Sequence, residues 1–112
     1  MNDLWALPSG EWVVYSDEED VIKDLKTLAD LEIITLYHGM LSRHRAVQFR
    51  FPDNDVLLRY VCFVSGFNYS RAVRLQKRPG VGYRNLFGRD AHQPPLFVEV
   101  SPPRRKGKGR TR

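Results

Sequence analysis

Arg45–Gly66 reads RAVQFRFPDNDVLLRYVCFVSG, two different patterns joined at a proline. In Arg45 to Phe51 the side chains alternate. Val47, Phe49 and Phe51 fall on one face and Ala46, Gln48 and Arg50 on the other, which is the period of a half-buried strand with one wet face. Such strands belong to antiparallel sheets packed on helices. Pro52-Asp53-Asn54-Asp55 then stops the strand and supplies helix-cap residues. Val56, Leu57, Tyr60, Val61 and Val64 recur at helical spacing, and Ser65-Gly66 ends the run. The same nine residues, VLLRYVCFV, are rich in β-branched and aromatic types and also fit a buried strand. The Asn/Asp cap and the terminal glycine favour the helix.

Upstream, Ile33 to His38 reads as a strand that forms a hairpin with Arg45–Phe51, with residues 39–43 as the connection and His38 and His44 near its end. Before it, Ser16-Asp17-Glu18-Glu19 has the form of a capping box, in which a serine oxygen accepts a helix amide and a glutamate three residues on reaches back. Val21, Ile22, Leu25, Leu28 and Ala29 follow at helical spacing, so a helix is expected from Asp17 to Leu31 with an acidic outer face. Glu11 to Tyr15, EWVVY, reads as a first strand. Residues 1–10 read as an arm docked through Leu4, Trp5 and Leu7, closed by the turn Pro8-Ser9-Gly10.

Downstream, Asn68 or Ser70 is placed to cap a helix over Ser70 to Lys77. If that segment is helical, Arg71, Arg74 and Arg78 share one face; if it is a strand they scatter. Pro79-Gly80 ends the element, and Val81 to Phe87 is a glycine-flanked segment carrying Tyr83 and Phe87. Leu96 to Val100, LFVEV, reads as a last edge strand. These elements predict an α+β fold: a small, mainly antiparallel sheet with two or three helices on one face. Residues 1–100 form a single domain and residues 101–112 a mobile basic tail.

The formal net charge of +5 conceals a gradient. Residues 1–66 hold eleven acidic and six basic side chains, residues 67–100 hold two and six, and residues 101–112 hold six basic and no acidic ones. A basic tail on a charge-segregated body points to a polyanionic partner, because lysine and arginine contacts to phosphates release condensed counterions. The expected nucleic-acid contacts are Arg71, Arg74, Lys77, Arg78 and Arg84 from the body, with Tyr83, and Arg104, Arg105, Lys106, Lys108, Arg110 and Arg112 from the tail. Aromatic residues near basic ones, here Tyr69, Tyr83 and Phe87, suit single-stranded DNA or RNA better than a duplex groove. In the competing account these arginines pair with the acidic first helix of the same molecule.

Other chemistry finds thinner support. Cys62 is the only cysteine, so no internal disulfide forms, and its apolar surroundings suit a buried thiol in a reducing compartment. The N-terminus lacks the basic start and apolar run of a secretory leader, and the apolar run Val56–Val64 is too short to span a bilayer. A cytoplasmic protein with no membrane partner is expected. His38, His44 and His92 lack metal-ligand spacing, and no cofactor is implied. His38 and His44 beside Arg43 and Arg45 form a sparse set for phosphodiester cleavage, which keeps a small ribonuclease in view. Pro79-Gly80-Val81-Gly82 lacks a full phosphate-binding fingerprint. The leading expectation is a small, non-catalytic nucleic-acid-binding accessory protein. The alternative is a protein-binding inhibitor or adaptor, derived from a phage or mobile element, that acts on a nucleic-acid-handling enzyme.

Overall fold

The computed structural model describes residues 1–38 and 45–88. Four strands, β1 (Asn2–Ala6), β2 (Trp12–Ser16), β3 (Glu32–His38) and β4 (Arg45–Phe51), form one sheet in the order β1-β2-β4-β3. Every pairing is antiparallel. Among the described residues four helices, α1 (Glu19–Lys26), α2 (Asp55–Ser65), α3 (Tyr69–Arg74) and α4 (Tyr83–Phe87), accompany the sheet, with a 3-10 turn at Leu75–Lys77 after α3. This is the expected α+β class. The connection at 39–43, the loop at 89–95, the strand at Leu96–Val100 and the basic tail lie outside the described residues.

The register explains which face is covered. Leu4 pairs with Val14 and Val14 with Phe49; Ala6 pairs with Trp12 and Trp12 with Phe51. Because directly paired residues point to the same side, these six side chains form one apolar layer. They are essentially fully buried against Ile22, Leu25, Leu58, Val61 and Leu75 from the helical layer. Trp12 and Phe51 stack at 6.4 Å between ring centroids. On the opposite face Tyr15 and Tyr37 meet edge to face, Gln48 donates to the Tyr37 hydroxyl at 3.3 Å, and Arg50 bridges Glu32 at 2.7 Å.

Three sequence expectations change. Residues 1–10 are not an arm: Asn2–Ala6 is an edge strand, joined to β2 by a turn in which Leu7 N donates to Glu11 O at 2.7 Å and Gly10 takes φ 97°. The inward alternation of Asn2, Leu4 and Ala6 drives this pairing, since each can be buried only if the segment is extended. The capping box does not form. Ser16 is held extended by its pairings to Asn2 and Val47, so its hydroxyl accepts from Glu18 N at 3.1 Å, and α1 starts only at Glu19. The Asp17 and Glu18 carboxylates instead hold the Met1 ammonium. Finally, α1 stops at Lys26, where the Thr27 hydroxyl donates to Asp24 O at 2.7 Å and satisfies a carbonyl that a longer helix would use.

The ambiguous run resolves as a helix. Asn54 Oδ1 accepts from Leu57 N at 3.1 Å, and Gly66 ends α2 in the left-handed conformation, φ 80°. A strand could place only one face of this run in the core. The helix puts Leu57, Leu58, Val61 and Cys62 inward and packs against both α1 and α3.

Candidate nucleic-acid interface

The basic segment is built on a short, well-anchored scaffold. Asn68 caps α3 by accepting from Arg71 N at 3.0 Å. That cap fixes the phase of the helix, and its first consequence is that Arg71 and Arg74, three residues apart, emerge on the same side. Ala72 and Leu75 on the opposite side are fully buried. After the 3-10 turn, Arg78 N donates to Leu75 O at 2.9 Å and Gly80 reverses the chain with φ 87°.

The reversal ties the segment to the sheet. Gly80 N donates to Ala6 O at 2.7 Å, which ties the loop to the end of β1. Asp3 on β1 then accepts from Arg84 N at 3.0 Å and so caps α4 from across the fold. Val81 N bonds to Arg78 O at 3.1 Å. With the Gly80 and Val81 amides engaged, the Pro79–Gly82 loop serves as a structural turn rather than a phosphate cradle.

Tyr83 is the pivot of this region. Its ring is fully buried, 4.6 Å from Phe67 and 4.9 Å from Phe87, and its hydroxyl accepts from Asn68 N at 3.0 Å. The sequence places Tyr83 among base-stacking residues. The structure places it in the core instead, because the cap of α3 and the ring of Phe67 both need it there. Its neighbour Phe87 is only half-buried and reaches the surface.

Phe87 meets the arginines. The guanidinium carbons of Arg71 and Arg74 lie 5.7 and 5.6 Å from the Phe87 ring centroid, within cation–π range. Together with Leu86 these three side chains line a shallow groove of about 370 Å³. Two cations beside one ring repel each other, and an anion near both would relieve that repulsion.

Lys77 and Arg78 are exposed on the 3-10 turn and the loop after it, and Arg84 is half-buried at the start of α4. Among the described residues, none of Arg71, Arg74, Lys77, Arg78 and Arg84 joins an ion pair. Asp17 and Glu18 are engaged by Met1, while Glu19, Asp20 and Asp24 stand exposed on α1. Tyr69 is taken up elsewhere. Its hydroxyl donates to Asp55, and Arg59 sits 4.1 Å above its ring. The Arg59 guanidinium, 2.8 Å from Asp55, and the Tyr69 hydroxyl hold the Asp55 carboxyl below its usual range.

Arg104, Arg105, Lys106, Lys108, Arg110 and Arg112 lie outside the described residues, as do His44 and His92; His38 ends β3. No group of three or more metal-ligating side chains occurs among the described residues, and no helix there is long and apolar enough to cross a membrane. Sequence reasoning named Arg71 and Arg74 but missed Asp3 and Leu86. Only the tertiary contact of β1 with α4 reveals Asp3. Comparison with protein-family models, curated proteins and solved structures finds no match for this chain.

Proposed function

We propose that the protein is a small nucleic-acid-binding accessory protein without catalytic chemistry of its own, acting on RNA or single-stranded DNA. The observation that carries this reading is the pair Arg71 and Arg74, joined to no carboxylate among the described residues and poised over the half-buried ring of Phe87. Guanidiniums grip phosphates, and an accessible phenylalanine ring stacks on an unpaired base. A six-residue helix is too short to read a duplex groove as recognition helices do, and the groove matches a single nucleotide better than a continuous double helix. Lys77, Arg78 and Arg84 extend the positive surface on either side, and the basic C-terminal tail adds non-specific affinity.

The test is binding of a fluorescent single-stranded oligonucleotide as a function of salt. With about four phosphates neutralised, log affinity falls against log salt with a slope of roughly −3. Arg71→Ala with Arg74→Ala makes that slope shallower by roughly 1.4. Binding that is insensitive to salt, or a slope unchanged in the double variant, refutes the reading.

A second reading rests on a different surface. Val56, Tyr60 and Phe63 form an exposed stripe along α2, with Phe63 83 % exposed. A protein-binding adaptor or inhibitor would dock through that stripe. Protein that binds no oligonucleotide yet retains one protein partner after nuclease treatment, and loses it in Phe63→Ser, favours this alternative.

A further inference from the structure

Arg71 is half-buried and Arg74 exposed, and each guanidinium carbon lies within 5.7 Å of the Phe87 ring centroid. Neither joins a carboxylate among the described residues. The helix that carries them is held by its Asn68 cap, at 3.0 Å from Arg71 N, and by the fully buried Ala72 and Leu75. The two charges are therefore kept together at the groove of about 370 Å³ that Leu86 and Phe87 complete. A half-buried guanidinium has given up part of its hydration, and an anion returns what water no longer supplies.

We propose, resting on the nucleic-acid reading above, that this groove takes the terminal phosphomonoester of a single strand, with the end nucleotide against Phe87 and Leu86. Charge and acceptor count favour a strand end over an internal linkage. An internal phosphodiester carries one negative charge and two unesterified oxygens. A terminal phosphate carries about −1.5 to −2 near neutral pH and offers three strong acceptor oxygens. Each planar guanidinium fork engages two acceptors best, so a pair of forks is matched more closely by the terminal group, in charge and in oxygens. The volume of the groove suits one nucleotide, which a strand end supplies.

Charge also sets this occupant apart from the rest of the chain. Residues 89–112 hold seven basic side chains and two acidic ones, so two guanidiniums repel that stretch on balance. Its carboxylates, Asp90 and Glu99, each bring one charge and two oxygens, less than a phosphomonoester brings. Asp90 follows Gly88 by two residues and is the internal competitor that the experiment has to include.

The experiment uses full-length protein and an internally labelled fluorescent oligonucleotide about ten nucleotides long, carrying a 5′-phosphate, a 3′-phosphate or hydroxyls at both ends. Anisotropy titration at about 0.15 M salt screens the attraction common to all three strands. One phosphorylated strand should bind about tenfold or more tighter than the hydroxyl-ended one, the factor that one charge-assisted hydrogen bond supplies, and the arm that does so identifies the end. Arg71→Gln with Arg74→Gln should bind all three alike. Arg71→Lys with Arg74→Lys keeps both charges and loses the forks, so it should retain salt-dependent binding and lose most of the preference. Asp90→Asn should leave the preference unchanged. Salt-dependent binding with no preference for either phosphorylated strand overturns the proposal while the nucleic-acid reading stands, and binding of no strand overturns both. A preference that survives the glutamine pair overturns the proposal, because the extra charge is then felt elsewhere. A preference that emerges only in Asp90→Asn overturns it too, because the chain's own carboxylate then holds the groove.

Discussion

Gly82→Ala separates local from tertiary reasoning by the sign of its effect. Gly82 sits at the start of α4 with φ −74° and ψ 151°, a conformation open to any L-residue. Local reasoning therefore predicts that alanine stabilises the protein by about 0.4–1 kcal/mol, because it restricts the unfolded chain. The fold predicts the reverse. A Cβ at Gly82 would lie 2.6 Å from Asp3 Oδ2 and 3.1 Å from Oδ1. Asp3 cannot simply swing aside, since Oδ1 accepts from both Leu4 N at 2.9 Å and Arg84 N at 3.0 Å. Losing the charged cap costs about 1.5–3 kcal/mol, so the net change is a destabilisation of roughly 1–2 kcal/mol. For a domain of this size the melting temperature falls by roughly 5–10 °C. Thermal unfolding by circular dichroism, run on the parent, Gly82→Ala, Asp3→Ala and the double variant, reads the coupling directly. In the Asp3→Ala background Gly82→Ala should stabilise by about 0.5 kcal/mol. An effect of the same sign and size in both backgrounds would refute the argument.

Other consequences can be checked with simple measurements. Asn54→Ala should lower stability by about 1 kcal/mol in urea unfolding through loss of the α2 cap, and Gly66→Ala by about 1 kcal/mol through its left-handed backbone. The Asp55 carboxyl is held below its ordinary value of 3.8 by Arg59 and Tyr69, so its stabilising contribution is full above that value and is lost as pH falls through the lower, folded one. The stability difference between the parent and Asp55→Asn should accordingly be constant near neutrality and shrink only in strong acid. Burial pushes the Cys62 thiol up to about 12, so a thiol reagent at pH 8 should leave it unmodified until urea unfolds the protein.

The legibility of this fold varied with the range of the forces involved. Strand β4 was readable because its alternation is a property of seven consecutive residues. The helical reading of Val56–Val64 rested on caps at both ends, and those caps are present as Asn54 and Gly66. The capping box at Ser16 failed because a local hydrogen-bond preference met two cross-strand pairings that hold the residue extended. Strand β1 was missed for a related reason. Five residues with one polar inward side chain look like an arm until β2 offers them a ladder. Asn2 is buried there because its side-chain amide can donate to Ser65 O at 3.0 Å, sixty-three residues away.

The sequence by itself determined the class of the fold, the spacing of Arg71 and Arg74 on a helix, and the polarity of charge along the chain. These follow from side-chain period and composition, which act over a few residues. Only the tertiary structure decided that Tyr83 is core while Phe87 is surface, and that the arginines are spared by the acidic first helix. It also decided that β1 and β3 are the outer strands among the described residues. Each of these depends on which distant segments meet, and one buried phenol beside Phe67, one carboxylate on β1 and one turn at Gly80 decide it.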